Sequence, residues 1–305
     1  MARSYRFVQV DVFTDRAFGG NQLAVFTDAQ GLTIDEMQTL TREMNYAECS
    51  FVFPSDHPHA VKRVRIFAPA TELPVAGHPT VGTAYVLARE GAIPLRGAVT
   101  EVTLALGVGP TPVVIEQRDG RPSFVWMTQP VPVFGMVRDD RRRVAAALGV
   151  AASDLREAWP LQVVSTGVPF LYVPLRSLAA VAACRPDAAA LAALFEEDTP
   201  AALLVFALET LAPDATVHAR MFGPHAMGIP EDAATGGAAG PLGAYLTRHG
   251  GLSAGPGARF IVEQGVEMDR PSRIHVEVYR RGEGIAGPRV GGQAVIVGEG
   301  TVFWD

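Results

Sequence analysis

One kind of segment occurs twice in this chain, and the repetition limits the folds that the chain can adopt. The first copy, residues 67–91, reads FAPATELPVAGHPTVGTAYVLAREG, and the second, residues 222–250, reads FGPHAMGIPEDAATGGAAGPLGAYLTRHG. Both contain a Phe-x-Pro, an acidic loop, a glycine at a turn, a helix of small residues and a closing glycine. Such a pattern predicts an internal duplication.

The similarity extends beyond the turn, because Gly77 and Gly236 are separated by as many residues as Leu87 and Leu246. Small-residue helices look alike in any alanine-rich protein, which explains the alanines but not the shared order of turn and helix signals. A chain of 305 residues also exceeds the size at which one core keeps growing. We therefore predict two similar domains that face each other, each directing a helix N terminus toward a shared cleft.

The first copy predicts a strand that ends in a turn and delivers Gly77, His78 and Pro79 to the first turn of a helix. Glycine lets the backbone approach a ligand closely, and proline fits the first helical turn. The N–H groups and the dipole of a helix start favour anions. We therefore predict that a small anionic molecule binds between this helix start and the equivalent one near Gly236.

The composition describes a globular protein and excludes nucleic acid as a partner. Hydrophobic residues make up 48% of the chain and charged residues 19%, which provides ample apolar surface for a buried core. The net charge is −6, and acidic and basic residues are interspersed. The chain therefore has no long basic patch of the kind that binds phosphate backbones.

We expect a cytoplasmic protein without a membrane-spanning segment. Residues 1–13 lack the apolar core and cleavage signature of a secretory signal. The longest uncharged run, residues 158–175, contains Pro160, Pro169 and Pro174, which argue against a spanning helix.

No metal and no organic cofactor are expected. Cys49 and Cys184 are far apart in sequence, and His57 and His59 lie in a polar loop that is typical of a solvated turn. The glycine-rich spacings lie in small-residue helices and lack the acidic ribose partner of a dinucleotide site.

Strand and turn signals along the chain place the boundary between the two domains after residue 128, which gives residues 1–128 and 129–305, and we expect that the last strand can cross back to the first domain. A capping box formed by Thr33 and Glu36 begins the first helix. The Pro-rich stretch 129–136 lacks a helical period and is interpreted as the linker. Alanine, glycine and leucine cover the two small-residue helices on nearly every side, so we predict one central helix per domain inside a many-stranded sheet.

Glu48 follows the end of the first predicted helix and directly precedes the apolar strand CSFVF. A charge at that junction has two interpretations. It is either a surface carboxylate at a strand start or a carboxylate at the mouth of a cleft with a raised pKa. The residues alone leave both interpretations open.

Taken together, these motifs resemble the phenazine-biosynthesis PhzF-like family, which has the diaminopimelate epimerase-like fold. The resemblance spans nearly the whole chain, and its most specific part is a long histidine motif with its spacing to an acidic motif. It is carried by Gly20-Asn21, Asn45-x-x-Glu48, Glu72-Leu73-Pro74-x-Ala76-Gly77-His78-Pro79-Thr80-x-Gly82-Thr83-Ala84, Ser165-Thr166-Gly167 and Glu231-Asp232-x-Ala234-Thr235-Gly236.

The resemblance implies an α+β fold of two pseudo-symmetric domains, each a curved, mostly antiparallel sheet around a central helix. It implies a cofactor-free isomerase site between the domains, where Glu48 moves a proton between carbon atoms of a small carboxylate-bearing substrate. It also implies a homodimer. The substrate-binding residues that it implies are Asn21, Gly77, His78, Asp232, Thr235, Gly236 and Gly237.

Two positions depart from the family pattern, since Gly237 stands where serine is usual and Ala233 where proline is usual. The missing hydroxyl removes one donor to a bound carboxylate. We therefore expect this chain to share the reaction type of the family, whereas its substrate need not be that of the founding phenazine enzyme. A non-catalytic carboxylate-binding protein, which would not need Glu48, and a two-base amino-acid epimerase are the alternatives. An epimerase that uses two cysteines is disfavoured because His78 and Gly237 occupy the two helix starts.

Overall fold

The chain is divided by its contacts into two compact units. Unit 1 contains Met1–Thr128 and Gly291–Asp305, and unit 2 contains Gln129–Val290. The computed structural model describes residues 3–196, 202–223, 228–252, 257–282 and 284–304. Strands outnumber helices in both units, so the predicted α+β class is confirmed.

The elements of the first 128 residues are β1 (Arg3–Val12), β2 (Asn21–Phe26), α1 (Ile34–Met44), β3 (Glu48–Phe53), β4 (Lys62–Phe67), β5 (Glu72–Leu73), α2 (Gly77–Arg89), β6 (Val99–Leu106), β7 (Gly109–Arg118) and β8 (Arg121–Thr128). The later elements are β9 (Val133–Arg138), α3 (Arg141–Leu148), β10 (Leu161–Ser165), β11 (Pro169–Pro174), α4 (Leu178–Ala183), α5 (Ala188–Glu196), β12 (Ala202–Ala207), β13 (Val217–Phe222), β14 (Glu231–Asp232), α6 (Gly236–His249), β15 (Gly257–Gln264), β16 (Ser272–Arg281), β17 (Gly284–Ile285), β18 (Arg289–Gly292) and β19 (Ala294–Trp304). The last strand, β19, pairs with β1 in unit 1. Among the residues that the structure describes, no helix combines the length and hydropathy needed to cross a membrane.

The two units repeat one succession of strand pairings. In unit 1, β1 is antiparallel to β2, β2 parallel to β3, β3 antiparallel to β4, β4 parallel to β6, and β6 antiparallel to β7. In unit 2 the same alternation runs from β10 through β11, β12, β13 and β15 to β16. A two-residue strand, β5 or β14, precedes the small-residue helix in each unit. The duplication in the sequence therefore corresponds to a duplicated topology.

The two small-residue helices are buried in their units. Helix α2 packs against β1, β2, β3, β7, β8 and β19, and helix α6 packs against β10 and β16. A Cβ added at Gly82 would lie 2.7 Å from side-chain atoms of Val12 and Leu23, so the strands approach α2 more closely than alanine would allow. The predicted arrangement of a sheet around one central helix is therefore confirmed for each unit.

The first helix begins and ends as its sequence predicts. The Thr33 side chain accepts a hydrogen bond from the Glu36 N–H, and the Glu36 side chain accepts one from the Thr33 N–H. The helix ends at Met44, and Asn45 adopts a left-handed conformation with a φ of 53°. The chain then enters β3 at Glu48.

The interpretation of residues 129–136 as a linker was wrong for the second half of this stretch. Strand β9 begins there and pairs antiparallel with β10. Pro130 and Pro132 precede the strand, where the missing N–H groups interrupt no strand pairing. Periodicity did not reveal β9 because most of its residues are exposed, and the strand therefore shows no alternation of apolar and polar positions.

Gly243 tests how closely the sheet approaches α6. A Cβ added there would overlap the Val278 side chain and lie 3.1 Å from Phe260 Cε1. We expect Gly243→Ala to lower the free energy of unfolding by about 1–2 kcal/mol, because overpacking outweighs the helix propensity of alanine. In the control variant Gly237→Ala, the added Cβ would meet, within the described part of the chain, only Phe170 Cε2, at 3.9 Å. Urea denaturation should show a lower free energy of unfolding for Gly243→Ala but not for Gly237→Ala. Equal free energies of unfolding for the two variants would contradict this prediction.

Candidate functional site

Three of the predicted site residues meet in unit 1. His78 Nδ1 lies 3.1 Å from Asn21 Nδ2 and 3.6 Å from Glu48 Oε2. All three residues are buried, since their exposed fractions are 3% for Asn21, 8% for Glu48 and 2% for His78. They form one polar group at the start of α2.

The backbone around this group explains why the three side chains meet. Asn21 is the first residue of β2 and Glu48 is the first residue of β3, and these two strands are parallel neighbours, so their starts lie side by side. Gly20 turns the chain into β2 with a φ of 62°, and a Cβ there would overlap the Val12 carbonyl oxygen. His78 is the second residue of α2, which packs against both strands.

Burial lowers the pKa of His78 to about 3. The imidazole is therefore neutral near pH 7. Its Nε2 is buried, and no residue in the described ranges forms a hydrogen bond with it. Because an unused buried polar atom costs roughly 1–3 kcal/mol, a ligand that satisfied Nε2 would recover that free energy.

Neither small-residue helix has a side chain that caps its N terminus. Ala76, the N-cap residue of α2, has no polar side chain, and Thr235, the N-cap residue of α6, makes no capping hydrogen bond. The first turns of both helices contain no acidic residue. Because a helix start favours negative charge, Gly77, Gly236 and Gly237 occupy positions that suit a bound carboxylate.

The remaining predicted residues form a second group at the start of α6 in unit 2. Thr235 Oγ1 donates a hydrogen bond of 2.7 Å to Asp232 Oδ2, and both residues are buried. Gln264 Nε2 donates to the Asp232 carbonyl oxygen at 2.7 Å and to Thr235 Oγ1 at 3.0 Å. Gln264 Oε1 accepts from the Thr235 N–H at 3.1 Å. Gln129 Nε2 donates to the Gly236 carbonyl oxygen at 2.8 Å.

The sequence analysis missed Gln264 and Gln129. Gln264 is the last residue of the apolar strand β15, stands directly before Gly265 and is 1% exposed. A glutamine at the end of a strand is usually exposed, so its sequence position alone is a weak signal. Only the packing of β15 beside β13 brings it to the start of α6.

Each of the two-residue strands β5 and β14 is fixed by a bidentate arginine. In unit 1, Arg65 Nε and Nη2 donate to the Glu72 carboxylate at 2.7 and 2.6 Å. In unit 2, Arg220 Nε and Nη2 donate to the Glu231 carboxylate at 2.8 and 2.9 Å. Bidentate pairs fix geometry as well as charge. Because Glu231 immediately precedes Asp232, its arginine fixes the strand that carries that residue.

The two cysteines are buried free thiols, Cys49 in unit 1 and Cys184 in unit 2. Burial raises the pKa of Cys49 to about 12 and that of Cys184 to about 11. Neither thiol is ionised near neutral pH, which disfavours a two-cysteine epimerase. In the part of the chain that the structure describes, no group of three or more His, Cys, Asp or Glu side chains could hold a metal ion.

The duplicated fold is shared with a solved phenazine biosynthesis protein of the PhzF family and with a predicted epimerase of Pseudomonas aeruginosa. The chain matches the family described as phenazine biosynthesis-like protein over residues 10–300. It therefore belongs to this family.

Individual relatives agree with this assignment. The chain is 36% identical over 304 residues to the trans-2,3-dihydro-3-hydroxyanthranilate isomerase of Pseudomonas aeruginosa, with 98% of this chain and 99% of that protein covered. It is 35% identical over 303 residues to an uncharacterized isomerase of Mesorhizobium japonicum, covering 97% and 98% of the two chains. A crystal structure of a PhzF-family phenazine biosynthesis protein of Bacillus anthracis has a TM-score of 0.89 and 29% identity, covering 98% of this chain and 99% of that chain. The resemblance found in the sequence is confirmed, and the chain is an isomerase.

The lowered pKa of His78 should be visible as a pH dependence of stability. In the unfolded chain, His78 is protonated below its ordinary pKa of about 6.5. In the folded chain it stays neutral until the pH falls to about 3. The free energy of unfolding should therefore fall as the pH is lowered from 6.5, with a contribution approaching about 1.4 kcal/mol per pH unit. In His78→Gln this contribution should be absent.

Urea denaturation at pH 7.0, 5.5 and 4.5 measures the difference between the parent chain and His78→Gln. His59→Gln, which changes an exposed loop histidine, is the matched control and should keep the slope of the parent chain. Identical slopes for the parent chain and His78→Gln would show that His78 is not held neutral by the fold.

Proposed function

We propose that this isomerase moves a proton between two carbon atoms of a small carboxylate-bearing substrate, with Glu48 as the general acid and base and without a cofactor. The observation that supports this proposal most directly is the buried Glu48 carboxylate, 3.6 Å from a neutral imidazole at the start of α2. A carboxylate shielded from bulk water and aimed at a helix start can remove a proton from carbon and return it elsewhere.

The reaction in this proposal has two proton transfers and no net change in composition. Ionised Glu48 takes a proton from one carbon, the electron pair moves through the conjugated substrate, and protonated Glu48 returns the proton to another carbon. Negative charge that develops on the substrate is stabilised by the N–H groups at the start of α2 and by the Nε2 of His78. Asn21 holds the other ring nitrogen and so fixes the orientation of the imidazole.

The substrate class in this proposal is a small anion with further polar groups. The relative from Pseudomonas aeruginosa is named for trans-2,3-dihydro-3-hydroxyanthranilate, so this cyclic amino carboxylate is the first substrate to test. At the start of α6, Asp232, Thr235, Gly236 and Gly237 would bind the polar groups of the substrate, as the family resemblance implies. Glycine at position 237 lacks the hydroxyl of the serine that the family usually has. Other carboxylates should therefore be tested as well.

Glu48→Gln separates proton transfer from binding. The amide keeps the size of the side chain but cannot accept the proton, so we expect a loss of at least ~100-fold in rate, the scale of general acid and base contributions. Affinity for 3-hydroxyanthranilate, the aromatic counterpart of the test substrate, should stay within a few-fold of the parent chain. The measurement is deuterium incorporation from solvent into the substrate, followed by NMR.

Glu43→Gln is the matched control for this experiment, because Glu43 is an exposed carboxylate on the neighbouring helix α1. It should exchange protons at the rate of the parent chain. If Glu48→Gln does so too, then the acid and base function belongs to another residue.

Gly237→Ser tests the departure from the family pattern. Among the residues that the structure describes, a Cβ at Gly237 would meet only Phe170 Cε2, at 3.9 Å, so the serine fits without displacing them. A hydroxyl placed there can donate to a bound carboxylate, and one hydrogen bond is worth about 0.5–1.5 kcal/mol. We expect about 2- to 10-fold tighter binding of 3-hydroxyanthranilate by calorimetry. Gly237→Ala is the control without a hydroxyl, and equal affinities for both variants would rule out a carboxylate at this position.

A further inference from the structure

The helix starts of the two units correspond position by position, which allows their chemistry to be compared. The second residue of each two-residue strand is Leu73 in unit 1 and Asp232 in unit 2. The N-cap residues of the helices are Ala76 and Thr235. Unit 1 is therefore apolar at two positions where unit 2 is polar.

A third pair of corresponding positions is identified by the glycine that packs against the backbone just before each helix. A Cβ added at Gly107 or at Gly265 would lie 2.8 or 2.5 Å from backbone atoms of the residue three positions before its helix. Each glycine follows the last residue of an equivalent strand, which is Leu106 of β6 in unit 1 and Gln264 of β15 in unit 2. Unit 1 thus has a leucine at the strand end where unit 2 has Gln264.

The polar triad of unit 2, which consists of Asp232, Thr235 and Gln264, is fully connected. Gln264 donates from Nε2 to the Asp232 carbonyl oxygen and to Thr235 Oγ1, and it accepts at Oε1 from the Thr235 N–H. A hydroxyl has a single proton, so Thr235 accepts from Gln264 and donates its own proton to Asp232 Oδ2. The glutamine therefore sets both the rotamer of the hydroxyl and the orientation of the carboxylate that receives its proton.

Gln264 is itself held on a rigid support. Its neighbour Glu263 has Oε1 2.9 Å from Nδ1 of His218, which lies on the parallel neighbouring strand β13. The other carboxylate oxygen of Glu263 accepts a hydrogen bond from the Ala212 N–H at 3.0 Å. Gly265 then turns the chain with a φ of 75°. The amide of Gln264 consequently has little freedom to follow a displaced Thr235, which suits a group that orients others.

We propose that Gln264 is a positioning residue, which holds the Thr235 hydroxyl and the Asp232 carboxylate in the orientation that binds the substrate. This role rests on the proposed function, because it assigns Asp232 and Thr235 to the substrate. Gln264 makes no contact with the reacting atoms in this account. It acts through the two residues that it orients.

Gln264→Leu tests the role, because leucine is the residue that unit 1 has at this position and it keeps the site apolar and filled. Gln162→Leu is the matched control. Gln162 is a buried glutamine of the same unit, but its amide hydrogen-bonds to the Gly135 carbonyl oxygen and to His249, away from the start of α6. Both variants lose hydrogen bonds, so a general loss of stability affects them alike.

Three measurements distinguish positioning from a purely structural role. For Gln264→Leu we expect a Kd for 3-hydroxyanthranilate and a KM for trans-2,3-dihydro-3-hydroxyanthranilate that are each raised about 10-fold, because orienting hydrogen bonds are lost. We expect kcat to fall less than about 3-fold, because Glu48 is untouched. Hydrogen exchange at the Thr235 amide should become at least ~10-fold faster, since that N–H loses its acceptor. Gln162→Leu should change none of these values by more than about 2-fold.

A double-variant cycle adds a further test. If Gln264 acts through the Thr235 hydroxyl, then Gln264→Leu combined with Thr235→Val should bind 3-hydroxyanthranilate no more weakly than the weaker single variant. Losses that simply multiply would overturn the proposal, because they would show that the two side chains act independently. Unchanged Thr235 exchange in Gln264→Leu would overturn it as well.

The outcomes also separate this role from the proposed function. If the parent chain binds and isomerises the probes and Gln264→Leu matches it in Kd and KM, the proposed function stands and the role of Gln264 is wrong. If the parent chain neither binds nor isomerises them, the proposed function fails for this substrate class. The exchange rate of the Thr235 amide then still decides whether Gln264 fixes this segment.

Discussion

Close packing between strands and a helix of small residues is the constraint on which the rest of each unit depends. A glycine such as Gly82 lets the side chains of β1 and β2 pass within contact distance of α2. The helix then has almost no freedom to tilt or slide, because interiors packed at this density resist displacement. Its first turn is fixed relative to the starts of the adjacent strands, where Asn21 and Glu48 lie. Packing deep in the unit therefore sets a distance of a few ångströms in the site.

The two copies of this arrangement have diverged in chemistry while keeping their topology. Unit 1 combines a carboxylate with a neutral imidazole, which is suited to moving protons. Among the described residues of unit 2, no such pair lies at the helix start, which has instead the polar triad, and this triad is suited to holding a polar ligand. Duplication supplies two corresponding helix starts, and a few side chains then give each of them a different chemistry.

Local signals in the sequence predicted much of this architecture. The histidine motif placed His78 in the first turn of α2, and the capping box of α1 placed Glu48 at the start of the next strand. These predictions depend on neighbouring residues and on the apolar character of the buried helices. Contacts between distant residues depend instead on strand order and register, which the sequence does not state. For that reason Gln264, whose partners lie about 30 positions earlier, and the exposed strand β9 were missed.

The support around each site follows from the kind of element that carries it. Side chains on long strands and helices inherit a fixed orientation, whereas a two-residue strand has few backbone hydrogen bonds to hold it. In unit 1 the site residues lie on β2, β3 and α2, and the arginine pair at Glu72 is partly exposed, with 18% of the Arg65 side chain and 39% of the Glu72 side chain accessible. In unit 2, Asp232 lies on β14 itself, and there 6% of the Arg220 side chain and 20% of the Glu231 side chain are exposed. The pair in unit 2 is the more buried of the two, so solvent screens its charges less and its geometry is held more firmly. The burial of Arg220 and the hydrogen bonds of Gln264 thus supply to β14 the rigidity that longer elements provide in unit 1.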